Sequence, residues 1–123
     1  MKLETVSLRL EKRRDREARE ALLDAVFGAT RFEKTCERLR ADNCPAEGLS
    51  LVAVKQGRLI GTVRLWPVMT GDGRPALMLG PLAVDASARA AGIGARLMRL
   101  AIKRARRAGH QAILLVGDAP YYT

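Results

Sequence analysis

The run from Ala76 to Val84, Ala-Leu-Met-Leu-Gly-Pro-Leu-Ala-Val, is almost wholly apolar. Such a run reads as a strand covered on both faces, because no position in it has to meet water. Pro81 stands inside it. Proline has no N–H to give to a ladder, so a covered strand that contains it must bulge there or part from a neighbour. The rest of the chain therefore has to supply other strands beside this one and helices on both sides of it.

The sequence offers both. Thr5 to Arg9 alternates as a short first strand. A helix capped by Asp15 is expected to run to Phe27, with Ala18, Leu22, Ala25 and Val26 as its buried face and Gly28 as its end. Thr30 and Glu33 form a capping box for a second helix, whose Phe32, Cys36 and Leu39 face the core. Asp42 to Gly48 reads as a loop. Strands follow over Leu51 to Lys55 and Leu59 to Val68, joined by the turn Gln56-Gly57, and Gly71-Asp72-Gly73 turns the chain into the apolar run.

Asp85 to Ala91 is a turn, and Gly92 to Ala108 is the longest helix. Ile93, Leu97, Ala101 and Ala105 make its buried stripe, with Met98 beside them, and Arg96, Arg99, Lys103 and Arg106 lie opposite. Gly109 closes it, and Ile113 to Val116 is a last buried strand. An apolar strand so close to the last residue has an edge that invites another chain, so a homodimer or strand exchange through this edge is expected. The predicted class is α/β (α+β), a mixed sheet flanked by helices.

The length of 123 residues fits a single domain spanning 1–123. No apolar run reaches the roughly 20 residues that cross a bilayer. The N-terminus opens on charges, so no membrane partner and a cytoplasmic location are expected. Cys36, Cys44 and the single His110 have no metal-ligand spacing, and no metal site is expected. A net charge of +9 favours anionic partners such as nucleic acid or a polyphosphate cofactor. The charges are spread over helix faces and aromatics are only 4%, so nucleic acid is not expected as the partner.

The segment richest in chemistry is Arg89-Ala90-Ala91-Gly92-Ile93-Gly94-Ala95, between the apolar strand and the long helix. N–H groups at a helix start have no partner within the helix and sit at the positive end of its dipole. Glycines let a diphosphate approach them closely. A dinucleotide fold would want a third glycine where Leu97 stands, and a P-loop would want Lys-Ser/Thr where Arg96-Leu97 stands.

A third pattern fits. Arg89-Ala90-Ala91-Gly92-Ile93-Gly94 resembles the Gln/Arg-x-x-Gly-x-Gly/Ala loop of GNAT acetyltransferases. Gly80-Pro81-Leu82-Ala83-Val84-Asp85 and Leu115 to Tyr122 resemble the strands around that loop in one bacterial branch of the family. The resemblance spans nearly the whole chain and implies a mostly antiparallel GNAT-like sheet, with a last helix and strands beyond this sequence.

It also implies acetyl-CoA as cofactor and a small-molecule or peptide amine as acceptor. The diphosphate would lie on the backbone from Arg89 to Ala95. The pantetheine arm would lie along Leu82, Ala83 and Val84, where the strand splays from its neighbour. Tyr122 matches the position of the general acid, with Tyr121 next. Family members often place a glutamate base where this strand has Leu79 and Gly80, so no base is legible; Glu33 and Asp118 suit a cap and a turn instead. Ala90 and Ala91 stand where a glycine and a basic residue are common, which leaves Arg89 and backbone N–H groups, with Arg96 one turn on. His110 reads as a turn residue and Trp66 as a core or pocket-wall residue. Two alternatives stay open: a coenzyme A-binding module without turnover, and a basic nucleic-acid binder.

Overall fold

In the computed structural model, which describes residues 6–28, 45–46 and 48–115, five strands form one sheet. They are β1 (Val6–Leu10), β2 (Ser50–Lys55), β3 (Arg58–Met69), β4 (Pro75–Val84) and β5 (Ile113–Leu115), in that spatial order. Pairing is antiparallel throughout except between β4 and β5, which run parallel. The hairpin between β2 and β3 turns on Gln56 and Gly57, both at positive φ, as a tight turn with the right-handed twist of its strands demands. The expected second helix, with Cys36, and Cys44 after it lie outside the described residues.

Among the described residues, two α-helices cover the sheet, α1 (Arg16–Phe27) and α2 (Ile93–Arg107). The stripe expected on α2 is the one buried: Ile93, Leu97, Ala101 and Ala105. They join Leu51, Ala53, Val63, Leu65, Leu77, Leu79, Leu82 and Val84 in one apolar cluster. The helix ends in a Schellman motif, with Gly109 at φ 93°, Gly109 N–H on the Arg106 carbonyl and His110 N–H on that of Ala105.

α2 comes very close to β3 at one place. A Cβ on Gly61 would lie 2.9 Å from Leu97 Cδ1 and 3.3 Å from Ile93 Cγ2, so only glycine allows this seating.

The other face carries α1, whose Leu22 and Leu23 pack on Ala83. The expected face of α1 needs correcting. Ala18 and Ala25 are exposed, and the buried positions are Arg19, Leu22 and Leu23. Arg19 goes inward because Glu11 is there to receive it. Asp15 does not cap α1 with its side chain. It takes two hydrogen bonds from the Arg9 guanidinium, at 2.7 and 2.9 Å, and one from Lys12 N–H. β1 runs one residue beyond the expected end at Arg9, because Leu10 still pairs with Leu51, and Thr5 lies outside the described residues.

The Arg9 hydrogen bonds hold the buried Asp15 carboxyl down at about 2 rather than 3.8. A depressed pKa means that the folded chain prefers ionised Asp15 more strongly than the unfolded chain does. The stability this confers is complete above the ordinary value of 3.8 and is lost as pH falls to about 2. Urea titrations across that window should show a loss of about 2 kcal/mol that Asp15→Asn does not share. An identical acid profile in the variant would show that the Arg9 pair contributes nothing.

Candidate functional site

β4 breaks its ladder where the proline stands. Val63 pairs with Leu82 and Leu65 with Leu79, so Arg64 alone faces Gly80 and Pro81. This is a bulge, with the extra residue on β4. Gly80 takes φ 147°, a backbone conformation that side chains disfavour. Among the described residues, β5 pairs with Leu77, Met78 and Leu79. Leu82, Ala83 and Val84 therefore have β3 on one side and no described strand on the other.

The bulge also sets side-chain phase. Leu82 and Val84 join Leu77 and Leu79 in the α2 cluster, whereas Ala83 faces α1. The edge of β4 beyond the bulge thus lies directly against the start of α2. A Cβ on Gly94 would meet Val84 Cγ2 at 3.5 Å and Leu82 Cδ2 at 3.9 Å, which is ordinary contact.

Between the two runs a connection fixed by Asp85. Its N–H donates to the Ile60 carbonyl, and its carboxylate accepts from Ser87 N–H, Ser87 Oγ and the Arg58 guanidinium. This Asx-type turn leads into a short 3-10 helix, Ala86–Ala91, pinned to the core by buried Ala88. Arg89, Ala90 and Ala91 are on it. Gly92 then takes the left-handed conformation, φ 73° and ψ 22°, and α2 begins at Ile93.

No side chain caps α2, and its first turn contains no acidic residue. The first helical hydrogen bond recorded there runs from Arg96 N–H to the Gly92 carbonyl. The N–H groups of Ile93, Gly94 and Ala95 thus lie in the turn that precedes the helix's own acceptors. They form a concave donor set at the positive end of a four-turn helix. Ile93 turns its side chain into the core, so only its backbone is available to a ligand.

All of the residues expected to bind cofactor, from Leu82 to Val84 and from Arg89 to Ala95, are therefore contributed by one strand end and the adjoining loop and helix start. Tyr122, Tyr121, Asp118 and Glu33 lie outside the described residues. His110 is exposed in the turn after α2.

Residues 12–120 match the model of the acetyltransferase (GNAT) family. The chain belongs to this family. The uncharacterized N-acetyltransferase YjhQ of Escherichia coli is 31% identical over 100 residues, covering 79% of this chain and 55% of YjhQ. The chain thus spans little more than half of that relative. The structure of the GNAT family N-acetyltransferase YhbS from Escherichia coli, in complex with CoA, is similar at 28% identity and a TM-score of 0.82, over 99% of this chain and 68% of the other. A GNAT family acetyltransferase from Brucella melitensis, in complex with acetyl-CoA, is similar at 29% identity and a TM-score of 0.72, over 96% and 79% of the two chains.

On the α1 face of this GNAT sheet lies a group of which the sequence points only to Trp66, as a core or pocket-wall residue. Glu11 Oε2 accepts from Arg19 at 2.5 Å and from Arg64 at 2.9 Å. Burial pulls the Arg64 guanidinium below its ordinary pKa, against the opposing pull of Glu11. The guanidinium carbon lies 5.4 Å from the centre of the Trp66 ring. Trp66 Nε1 in turn donates to the Gly80 carbonyl at 2.7 Å. The signal available in the sequence was an arginine two residues before a tryptophan inside an apolar strand, which puts both on one face.

Gly92 and Gly94 divide the work expected of both. Gly92 is required by its backbone conformation, since a Cβ there would meet nothing within 4 Å but φ is 73°. Gly94 is under no such constraint. Gly92→Ala should therefore lower stability by about 1–2 kcal/mol, while Gly94→Ala lowers it not at all. Chemical denaturation of the two variants checks this, and equal stabilities would contradict the left-handed turn.

Proposed function

We propose that the chain holds acetyl-CoA and transfers its acetyl group to a primary amine, a small molecule or peptide, in the cytoplasm. The observation that carries this reading is the contact between the uncapped start of α2 and the end of β4 beyond its bulge. A diphosphate needs the first and an amide-bearing arm needs the second. Here a Cβ on Gly94 would already be in van der Waals range of Leu82 and Val84, so one extended ligand reaches both. CoA in YhbS and acetyl-CoA in the Brucella melitensis protein support the same cofactor. The small size of Gly94 and the absence of acid from the first turn of α2 suit a polyphosphate.

Bound acetyl-CoA supplies the thioester whose acetyl carbon the amine attacks, forming a C–N bond as the C–S bond breaks. The backbone of Arg89 to Ala95 holds the diphosphate. Leu82, Ala83 and Val84 offer their backbone to the amides of the arm, as a strand edge receives a peptide. A backbone N–H beside the bulge polarises the carbonyl oxygen. Tyr122 gives its phenolic proton to the departing sulfur, and the amine gives up its own proton to water.

Two variants test the two halves of this reading. Gly94→Val adds bulk where the diphosphate approaches, and should weaken CoA binding in calorimetry by at least about tenfold, or 1.4 kcal/mol, with the fold retained. Unchanged affinity would remove the helix start from the site. Tyr122→Phe should lower kcat by about 100-fold, the lower range of general acid catalysis, with CoA affinity nearly unchanged. Full turnover would pass the acid role to Tyr121 or to water.

A further inference from the structure

We propose that Trp66 is a positioning residue that keeps the cofactor slot open by holding the Gly80 carbonyl out of the sheet ladder; this rests on the acetyl-CoA reading above. Trp66 is 5% exposed, and its indole N–H has to find a buried acceptor. The acceptor it takes is the carbonyl of Gly80, the residue at which the regular pairing of β4 with β3 breaks. Gly80 has no register partner on β3, and its carbonyl is directed instead to a side chain two residues along that strand.

The ring is itself fixed. Arg64, the β3 residue that faces the bulge, lies against it, and Glu11 and Arg19 tie Arg64 to α1. The bulge is thus held from the α1 face, while Leu82 and Val84 turn their side chains to the α2 face and leave their backbone edge to the cofactor. Without the indole N–H, the Gly80 carbonyl has a buried acceptor to satisfy. It regains a partner by turning back toward the sheet plane. That movement carries the following residues toward a regular ladder and closes the edge the pantetheine arm would use.

The test compares two ligands on the full chain. CoA engages both the helix start and the β4 edge, whereas ADP has the diphosphate but no arm. Trp66→Phe removes the N–H. Replacing Trp66 by benzothienylalanine removes it with the shape of the indole kept, which covers the case in which the phenylalanine variant does not fold. Calorimetry should show CoA affinity about tenfold lower, the effect of one net hydrogen bond, while ADP affinity stays as in the wild type.

Equal weakening of both ligands would make Trp66 a general support of the fold and overturn the proposal. So would unchanged CoA affinity in the benzothienyl variant. A wild-type chain that binds neither ligand would instead sink the acetyl-CoA reading, and this inference with it.

Discussion

The extra residue in β4 at Gly80 and Pro81 keeps two pairs of leucine and valine side chains in phase. Side chains alternate along a strand, so an unbroken β4 with Leu77 and Leu79 on the α2 face would turn Leu82 and Val84 to the other. With the bulge, all four reach the same cluster. The first turn of α2 then has a surface to rest on, and Gly61 allows it to rest closely. The position of the candidate anion site beside the β4 edge follows from these two local facts. Deleting the extra residue would separate them, whatever the loop between contained.

The opposite face adds a charge cluster to the apolar contact of Leu22 and Leu23 with Ala83. Glu11, Arg19 and Arg64 meet between α1 and the sheet, and Glu11 Oε1, Arg19 Nε and Arg64 Nε have no hydrogen-bond partner among the described residues. Arg19 Nε has Glu20 at 3.7 Å, an ion-pair distance without a hydrogen bond. Such groups give up hydration and recover only part of it from each other, so they are weak evidence for stability. What they do have is direction. A guanidinium shared between a carboxylate and an indole face admits few arrangements, and the indole it faces is the one bonded to the bulge. The cluster thus makes the break in β4 a defined geometry instead of a loose one.

Much of this was legible in the sequence, for identifiable reasons. The stripe of α2 was readable because its four buried positions are all apolar and its polar face is uniformly basic. Pro81 marked the break in β4 because a missing N–H is a local chemical fact. The face of α1 was misread at Ala18 and Ala25, since what turns the helix is a charge pair between Arg19 and Glu11 eight residues apart. Periodicity of apolar residues does not register such a pair. The two loop glycines looked alike in sequence because φ is not written there; only the fold separates the left-handed Gly92 from Gly94. The Trp66 bond to Gly80 depends on strand register, which the sequence alone does not fix.

The charge of +9 is partly accounted for by α2 itself. Its last turn carries Arg104, Arg106 and Arg107, at the negative end of the helix dipole, and Arg104 Nε also donates to the Gly48 carbonyl. Cations there stabilise the helix without any partner. The first turn carries no acid that would compensate the positive end, and Asp85, the carboxylate just before the loop, is occupied by Arg58 and Ser87. The same arrangement that makes the helix end stable leaves its start electropositive. A basic chain of this kind need not be built for nucleic acid: its surplus is divided between a helix end that uses it and a helix start where an anion would be held by backbone N–H groups rather than by side-chain charge.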